Sequence, residues 1–269
     1  MDLNLKDHVV VVTGGGSGIG RASALTFAAE GANVAIWDLG ASATKAAAEV
    51  QKQFPGRTIG ISADVTDESL VLAATEETIQ VLGPINHLVH AAGVGSGKFG
   101  FPFTNLRPED WLRVLQVNVM GMVHVAHAIA PCMVERQSGT MVFVASIAGQ
   151  IGSQTDPPYS ASKAANINFA QCMAKDLASK GVRVNTVCPG MVQTPLNRSV
   201  WQAWHDQTPP NEQMSYDEWA QRKIRAVVPL GHWQTPEAIA DMIVFLSSDR
   251  SAHVTGQTIN VDGGFVMHW

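Results

Sequence analysis

Short apolar runs alternate with longer amphipathic stretches along almost the whole chain, and this rhythm restricts the fold more than any other feature. His8–Thr13 (HVVVVT) is strand-like and leads into a glycine-rich turn. After the turn, Gly18–Glu30 carries Ile19, Ala22, Leu25, Thr26 and Ala29 at helical spacing, and Gly31 is placed to close that helix. Further strand-like runs are expected at Asn33–Trp37, Thr58–Ser62, Asn86–Ala91, Thr140–Ser146, Arg183–Val187 and Thr258–Val261. Helical stretches lie between them, at Ser42–Phe54, at Asp67–Leu82, and near Pro108–Arg136, Tyr159–Lys180 and Pro236–Ser247. Alternation of this kind implies right-handed crossovers and a parallel sheet with helices on both faces. Val9–Val12 is apolar throughout, as a strand covered on both sides must be. The expected architecture is therefore α/β: one domain over residues 1–269, with a doubly wound parallel sheet of about seven strands. Residues 191–228 break the rhythm with Pro195, Pro209, Pro210 and a tryptophan cluster before it resumes. They read as an insertion into that domain.

Composition narrows the function classes. The 269 residues are 46% apolar and 15% charged, well under the roughly 25% charged of a typical soluble chain. Such a chain has ample apolar surface to offset ordering entropy, so disorder is excluded. The net charge of −5 advertises no face for nucleic acid or anionic lipid. No window is a run of uncharged apolar residues long enough to span a bilayer, and the acidic, mixed start is unlike a signal peptide. Cys132, Cys172 and Cys188 lie far apart and read as buried thiols, not a disulfide framework. The expectation is a cytoplasmic globular protein with a small-molecule substrate, without nucleic-acid or membrane partners.

The turn Thr13-Gly14-Gly15-Gly16-Ser17-Gly18-Ile19-Gly20 lies between the first strand and the first helix. Glycines let a backbone approach a pyrophosphate, and the following helix end presents free N–H groups to it. Gly14, Ser17, Gly18, Ile19 and Gly20 are the candidate contacts. Asp38 ends the second strand, 18 residues after Gly20, close to the roughly 20 expected of a ribose-binding carboxylate. A carboxylate there accepts hydrogen bonds from the adenosine ribose and repels a 2′-phosphate. No arginine or lysine in the turn or just after Asp38 welcomes that phosphate, so NAD is the expected cofactor.

With this Thr-Gly-x-x-x-Gly-x-Gly turn come Asp64-Val65 after the third strand and Ala91-Ala92-Gly93 after the fourth. Asn118, Ser146, Tyr159-Ser-Ala-Ser-Lys163, Pro189-Gly190 and Thr194 follow in order. The joint pattern resembles the single-domain short-chain dehydrogenase/reductase family, from Asp7 to about Gly264. The resemblance implies a Rossmann-like sheet and hydride exchange between a carbinol carbon and a nicotinamide. It implies Asn118, Ser146, Tyr159 and Lys163 as the catalytic four, with Lys163 also gripping ribose hydroxyls and Asn118 holding a water that passes protons to it. Asp64 and Val65 would flank the adenine, and Ala91 and Gly93 would line the cofactor channel. Pro189, Val192 and Thr194 would hold the nicotinamide. A tetramer, with the apolar tail Phe265–Trp269 against a partner subunit, is also implied.

The chemistry points the same way. Tyr159 and Lys163, four apart, share one helical face. An unperturbed phenol titrates near pH 10, roughly three units too high for a base at neutral pH, and a neighbouring ammonium favours the phenolate. Ser146 would donate a hydrogen bond to the same substrate oxygen.

The chain departs from the family at His90-Ala91, where Asn-Asn is usual. His90 is expected to replace part of the lost bracing through its ring nitrogens. His124 and His127 stand three apart without a third ligand, so no metal is expected. Trp201/Trp204 and Tyr216/Trp219 repeat at helical spacing in the segment that, by resemblance, folds over the substrate. Gln150, Met191, Trp201 and Trp204 are the candidate substrate contacts. The same segment holds Arg198, Arg222, Lys223 and Arg225 against four acidic residues. The expected activity is NAD-dependent oxidation of a secondary hydroxyl, or the reverse, on an alicyclic, aromatic or hydroxy-acid substrate. One alternative is a 3-oxoacyl-carrier-protein-type reductase using NADP. The other is a dinucleotide-binding sensor without turnover.

Overall fold

Every residue of β1 (Val9–Thr13) is buried, and its alternate side chains serve two different cores. Val9 and Val11 pack on one face of the sheet, and Val10 and Val12 on the other. In the computed structural model, which describes residues 2–152 and 155–267, six more strands flank this one. They are β2 (Asn33–Asp38), β3 (Thr58–Ser62), β4 (Ile85–His90), β5 (Gly139–Val144), β6 (Val182–Pro189) and β7 (Thr258–Val261). All pair in parallel, in the order β3-β2-β1-β4-β5-β6-β7.

The helices divide between the two faces. α1 (Gly18–Ala29), α2 (Ala41–Gln53) and a helix over Pro236–Ser247 enclose the core that contains Val10, Phe27, Val50 and Ile243. α3 (Glu68–Leu82), the helical run Glu109–Arg136 and a helix over Pro157–Leu177 enclose the other, with Val71, Ile129 and Ala170. This is the doubly wound sheet that the alternation predicts. Boundaries shift by one to three residues, most usefully at Ser146. The strand stops at Val144, and Ser146 instead caps a 3-10 turn over Ile147–Gly149, its Oγ accepting the Ala148 N–H at 3.1 Å. A serine whose side chain competes for backbone N–H groups ends a strand early.

Glu109–Arg136 comprises α4 (Glu109–Leu115), a π turn over Gln116–Met120, and α5 (Gly121–Arg136). By length and composition alone the run is apolar enough to cross a bilayer, although it is not an unbroken run of apolar residues. Mean hydropathy tolerates the interspersed Asn118, His124 and His127. Here Val125, Ile129 and Met133 pack against the sheet. The remaining helices are α6 (Pro157–Leu177), α7 (Pro195–Gln207), α8 (Tyr216–Val227) and α9 (Pro236–Ser247). The thiols do not share one environment, since Cys188 is buried and Cys172 exposed.

Two histidines brace the centre of the sheet. His90, 1% exposed, places Nδ1 2.9 Å from Thr13 Oγ1, and that hydroxyl accepts the Ala92 N–H. This ties β1 to β4 where the family's paired asparagines are absent. His87 bridges His8 at 2.9 Å and Thr140 at 2.7 Å. Burial pushes both His87 and His90 from 6.5 down to about 3. Between pH 6.5 and 3 the unfolded chain therefore holds more protons at these rings than the folded one. Stability is full above pH 6.5 and falls as the pH drops through that window, by up to about 1.4 kcal/mol per pH unit per ring. Denaturant midpoints at pH 7 and pH 5 check this. His90→Asn is expected to flatten the loss, and an unchanged slope would show that this ring does not set it.

Candidate active site

After β3 the chain crosses back over β1 to form β4, so the strand order reverses between β1 and β4. A crevice must open at the carboxyl ends of the strands there, because the two connections leave in opposite directions. A cavity of about 650 Å³ occupies it. Gly14, Ser17, Gly18, Ile19 and Gly20 line one end. Gly14 has φ +65°, a conformation only glycine adopts freely, and a side chain on Gly20 would collide with the Gly14 carbonyl. Helix α1 therefore starts tight against the turn. Ser17 holds its N-cap position without a side-chain capping bond, leaving the first N–H groups facing the cavity.

Asp38, Asp64 and Val65 continue the lining. Asp38 Oδ2 accepts the Gly16 N–H at 2.8 Å and Oδ1 the Leu39 N–H at 2.7 Å, so the carboxylate is fixed in place. Asp64 accepts from the Thr66 hydroxyl and N–H, which hold its pKa below the usual value. The Val65 carbonyl lies 2.9 Å from His124 Nδ1, a structural role for one of the two neighbouring histidines. Among the described residues no cluster of His, Cys, Asp or Glu is arranged to hold a metal.

At the opposite end stand Ser146, Tyr159 and Lys163, with Ala91, Gly93, Pro189, Val192 and Thr194 between. Two proline positions start α6, and Tyr159 and Lys163 follow on its cavity side. Lys163 is 3% exposed; its Nζ donates to the Val144 carbonyl at 2.8 Å and sits 5.5 Å from the centre of the Tyr159 ring. Burial lowers the ammonium to about 8. Burial also raises the Tyr159 phenol to about 12, against a hydrogen bond with Ser146 that pulls it down. In the protein alone, desolvation outweighs the stabilising neighbours, so the phenol stays protonated.

Asn118, fully buried in the π turn, works through its side chain as a strut. Its Oδ1 accepts the Val94 N–H at 2.8 Å, while Nδ2 donates to the Val94 carbonyl and to Ser162 Oγ, both at 2.9 Å. Ser162 in turn donates to the Tyr159 carbonyl at 2.7 Å. The amide thus fixes the strand-end loop to the tyrosine helix, with its polar atoms already engaged. A methyl on Gly93 would lie 3.2 Å from Lys163 Nζ and 3.4 Å from Asn118 Oδ1, so these three groups meet at one point.

The candidate substrate contacts divide. Met191 lines the cavity. Gln150 pairs with Asn260, at 2.8 Å and 3.0 Å, and lies outside the lining. Trp201 donates to the Met214 carbonyl and packs on Tyr216. Trp204 packs on Trp219 and faces a second, outer cleft. In their place the cavity is lined by Asp156, Leu196, Asn197, Val200, Trp219 and Lys223. Asp156, three residues before Tyr159, was the most readable of these. Phe265 of the tail also lines the cavity, and His268 and Trp269 lie outside the described residues.

The residues present fit a nicotinamide dinucleotide: open helix-end N–H groups for a pyrophosphate, a fixed carboxylate for a ribose, and a phenol–ammonium pair at the far end. Known proteins agree with the geometry. A family profile described as enoyl-(acyl carrier protein) reductase matches residues 14–266. The 3-oxoacyl-[acyl-carrier-protein] reductase of Thermotoga maritima is 33% identical over 265 residues, covering 98% of this chain and all of that protein. The 2-(S)-hydroxypropyl-CoM dehydrogenase 3 of Xanthobacter autotrophicus is 36% identical over 98% of both chains. Among solved structures, L-sorbose reductase from Gluconobacter frateurii, complexed with NADPH and L-sorbose, superposes with a TM-score of 0.90 at 29% identity over the whole of both chains. Fold, site and sequence converge: the chain belongs to the short-chain dehydrogenase/reductase family and is an oxidoreductase of alcohol and ketone substrates.

Proposed function

We propose that this enzyme is NAD-dependent and interconverts a secondary alcohol and its ketone, with Tyr159 as general acid–base. The carrying observation is the single cavity that joins Asp38 at one end to Ser146, Tyr159 and Lys163 at the other. When bound, the nicotinamide takes or gives the hydride and, oxidised, adds positive charge near the phenol. In the oxidation direction Tyr159 acts from its phenolate form: the substrate hydroxyl gives its proton to Oη as the C–H bond is lost, and the tyrosine later releases it, so the products are ketone, NADH and a proton. Ser146 donates to the same oxygen and stabilises the carbonyl as it develops. Lys163 holds positive charge beside the phenol and offers N–H donors to a ribose. Asn118 keeps the loop and α6 in register.

The choice of NAD rests on Asp38. Of the cations lining the cavity, Arg113 lies close enough to Asp64 to lower its pKa, Lys163 belongs to the tyrosine end, and Lys223 belongs to α8. None accompanies Asp38. A carrier-protein-type reductase using NADP is the second reading, favoured by the relative in Thermotoga maritima.

A panel of alicyclic, aryl and hydroxy-acid secondary alcohols, offered with NAD and with NADP, tests the proposal. Absorbance of the reduced nicotinamide is expected to rise far faster with NAD than with NADP. Faster rates with NADP would support the carrier-type reading. Saturable NADH binding without turnover of any alcohol or ketone would favour a dinucleotide sensor.

A further inference from the structure

The substrate end of the cavity is walled largely by apolar groups, among them Val94, Ile151, Leu196, Val200 and Phe265. Lys223 is an exception. It reaches the cavity from α8, with Nζ 4.5 Å above the centre of the Trp219 ring, and Trp219 is itself buried. Among the described residues Lys223 has no carboxylate within ion-pair distance. The nearest carboxylate on its helix, Glu218, is taken up by the Ser215 capping box. Arg198 of the same segment is engaged elsewhere, stacked at 4.7 Å over Tyr216.

Trp219 and Lys223 also line the second cleft outside the first, together with Phe99, Phe101, Trp204 and Arg222. Lys223 therefore stands where the inner cavity and the outer cleft share a wall. Holding an ammonium among apolar and aromatic groups without a counterion is unfavourable, and burial lowers the pKa of this one. Its position over an indole face keeps the charge oriented. No carboxylate of the described residues offsets this charge, and the side chain borders the cavity that also holds Tyr159.

We infer that Lys223 docks an anionic group of the substrate, so that the secondary alcohol or ketone is an acid whose charge lies on an arm leading from the reacting carbon toward α8. Arg222, one residue earlier in the outer cleft, extends the site for a larger anion. A compact ammonium binds carboxylate, sulfonate or phosphate as a point charge. The inference rests on the dehydrogenase reading and adds the substrate class to it.

The test compares para-acetylbenzoate, para-acetylbenzenesulfonate and neutral para-acetylbenzamide as ketones with NADH. The anions are expected to exceed the amide in kcat/KM by about 10- to 100-fold, chiefly through KM. Lys223→Met should collapse that ratio toward unity, and Lys223→Arg should largely keep it. An anion preference unchanged in Lys223→Met, or a preference for the amide, overturns the inference while leaving the dehydrogenase intact. If none of the three ketones is reduced, the alcohol panel above decides the dehydrogenase reading separately, and calorimetry of para-acetylbenzoate binding to the protein with NADH decides about Lys223. Binding weakened about tenfold in Lys223→Met supports the site; equal binding, or none to the unaltered protein, overturns it. The sulfonate and benzoate arms show which anion the site prefers.

Discussion

Tyr159→Phe is expected to lower kcat by about 10³-fold while leaving NADH affinity within about threefold of the unaltered enzyme. The substitution removes one oxygen from a ring that Lys163 approaches within 5.5 Å of its centre. Packing is retained, so a loss of rate reports the hydroxyl and not the fold. Positioned acid–base groups contribute roughly 10²- to 10⁴-fold, the range expected for the role proposed for this phenol, which lines one cavity with Ser146 and Lys163. Burial holds the free phenol at about 12, so alcohol oxidation, which needs the phenolate, should accelerate as pH rises. Ketone reduction needs the protonated phenol and should keep its rate to lower pH. Stopped-flow rates in both directions, with fluorescence titration of NADH, make the comparison. Turnover of Tyr159→Phe at the unaltered rate would remove Tyr159 from the chemistry.

The sheet and the ends of the cavity were readable because local patterns dictate them. An apolar pentapeptide, a glycine turn and an amphipathic helix can follow one another in few ways, and Asp38 and Tyr159-x-x-x-Lys163 take their places from that frame. The substrate wall was not readable in the same way. Gln150 looked available, but its partner Asn260 lies 110 positions away in sequence and reaches it only through the β6–β7 pairing. Trp201 and Trp204 repeat at helical spacing, yet they settle into a small cluster with Trp219, Tyr216 and Met191, between α7 and α8. That spacing reports a helix face and cannot say which element the face will meet. Lys223 carried a signal in hindsight, four residues after Trp219 on the same helix. Nothing local told that this face would border a cavity. His90 shows the converse, where a departure from the family pattern was legible and the Thr13 hydroxyl supplied the missing half.

Coenzyme discrimination is the second large expected effect, and on the proposed reading it turns on a carboxylate that has no freedom to retreat. Both oxygens of Asp38 are tied to backbone N–H groups, from Gly16 and Leu39. Gly16 is packed so closely that a methyl on it would lie 2.7 Å from Oδ2. A ribose hydroxyl arriving there finds a fixed acceptor, whereas a 2′-phosphate finds a fixed charge of its own sign. Juxtaposed like charges cost several kcal/mol, and partial exposure of Asp38 screens part of that. The expected discrimination in kcat/KM is about 10²-fold in favour of NAD. Asp38→Ala removes both effects. It should raise kcat/KM for NADP about tenfold and lower that for NAD by a similar factor, because the ribose loses its acceptor. It should leave kcat at saturating NAD nearly unchanged, since the charge lies at the far end of the cavity from Tyr159. Initial rates of both proteins with both coenzymes measure all four quantities. A wild-type preference for NADP, unaltered in Asp38→Ala, would mean that the adenosine ribose binds away from this carboxylate, and the turn beside it would then have to be read as a scaffold for α1 alone.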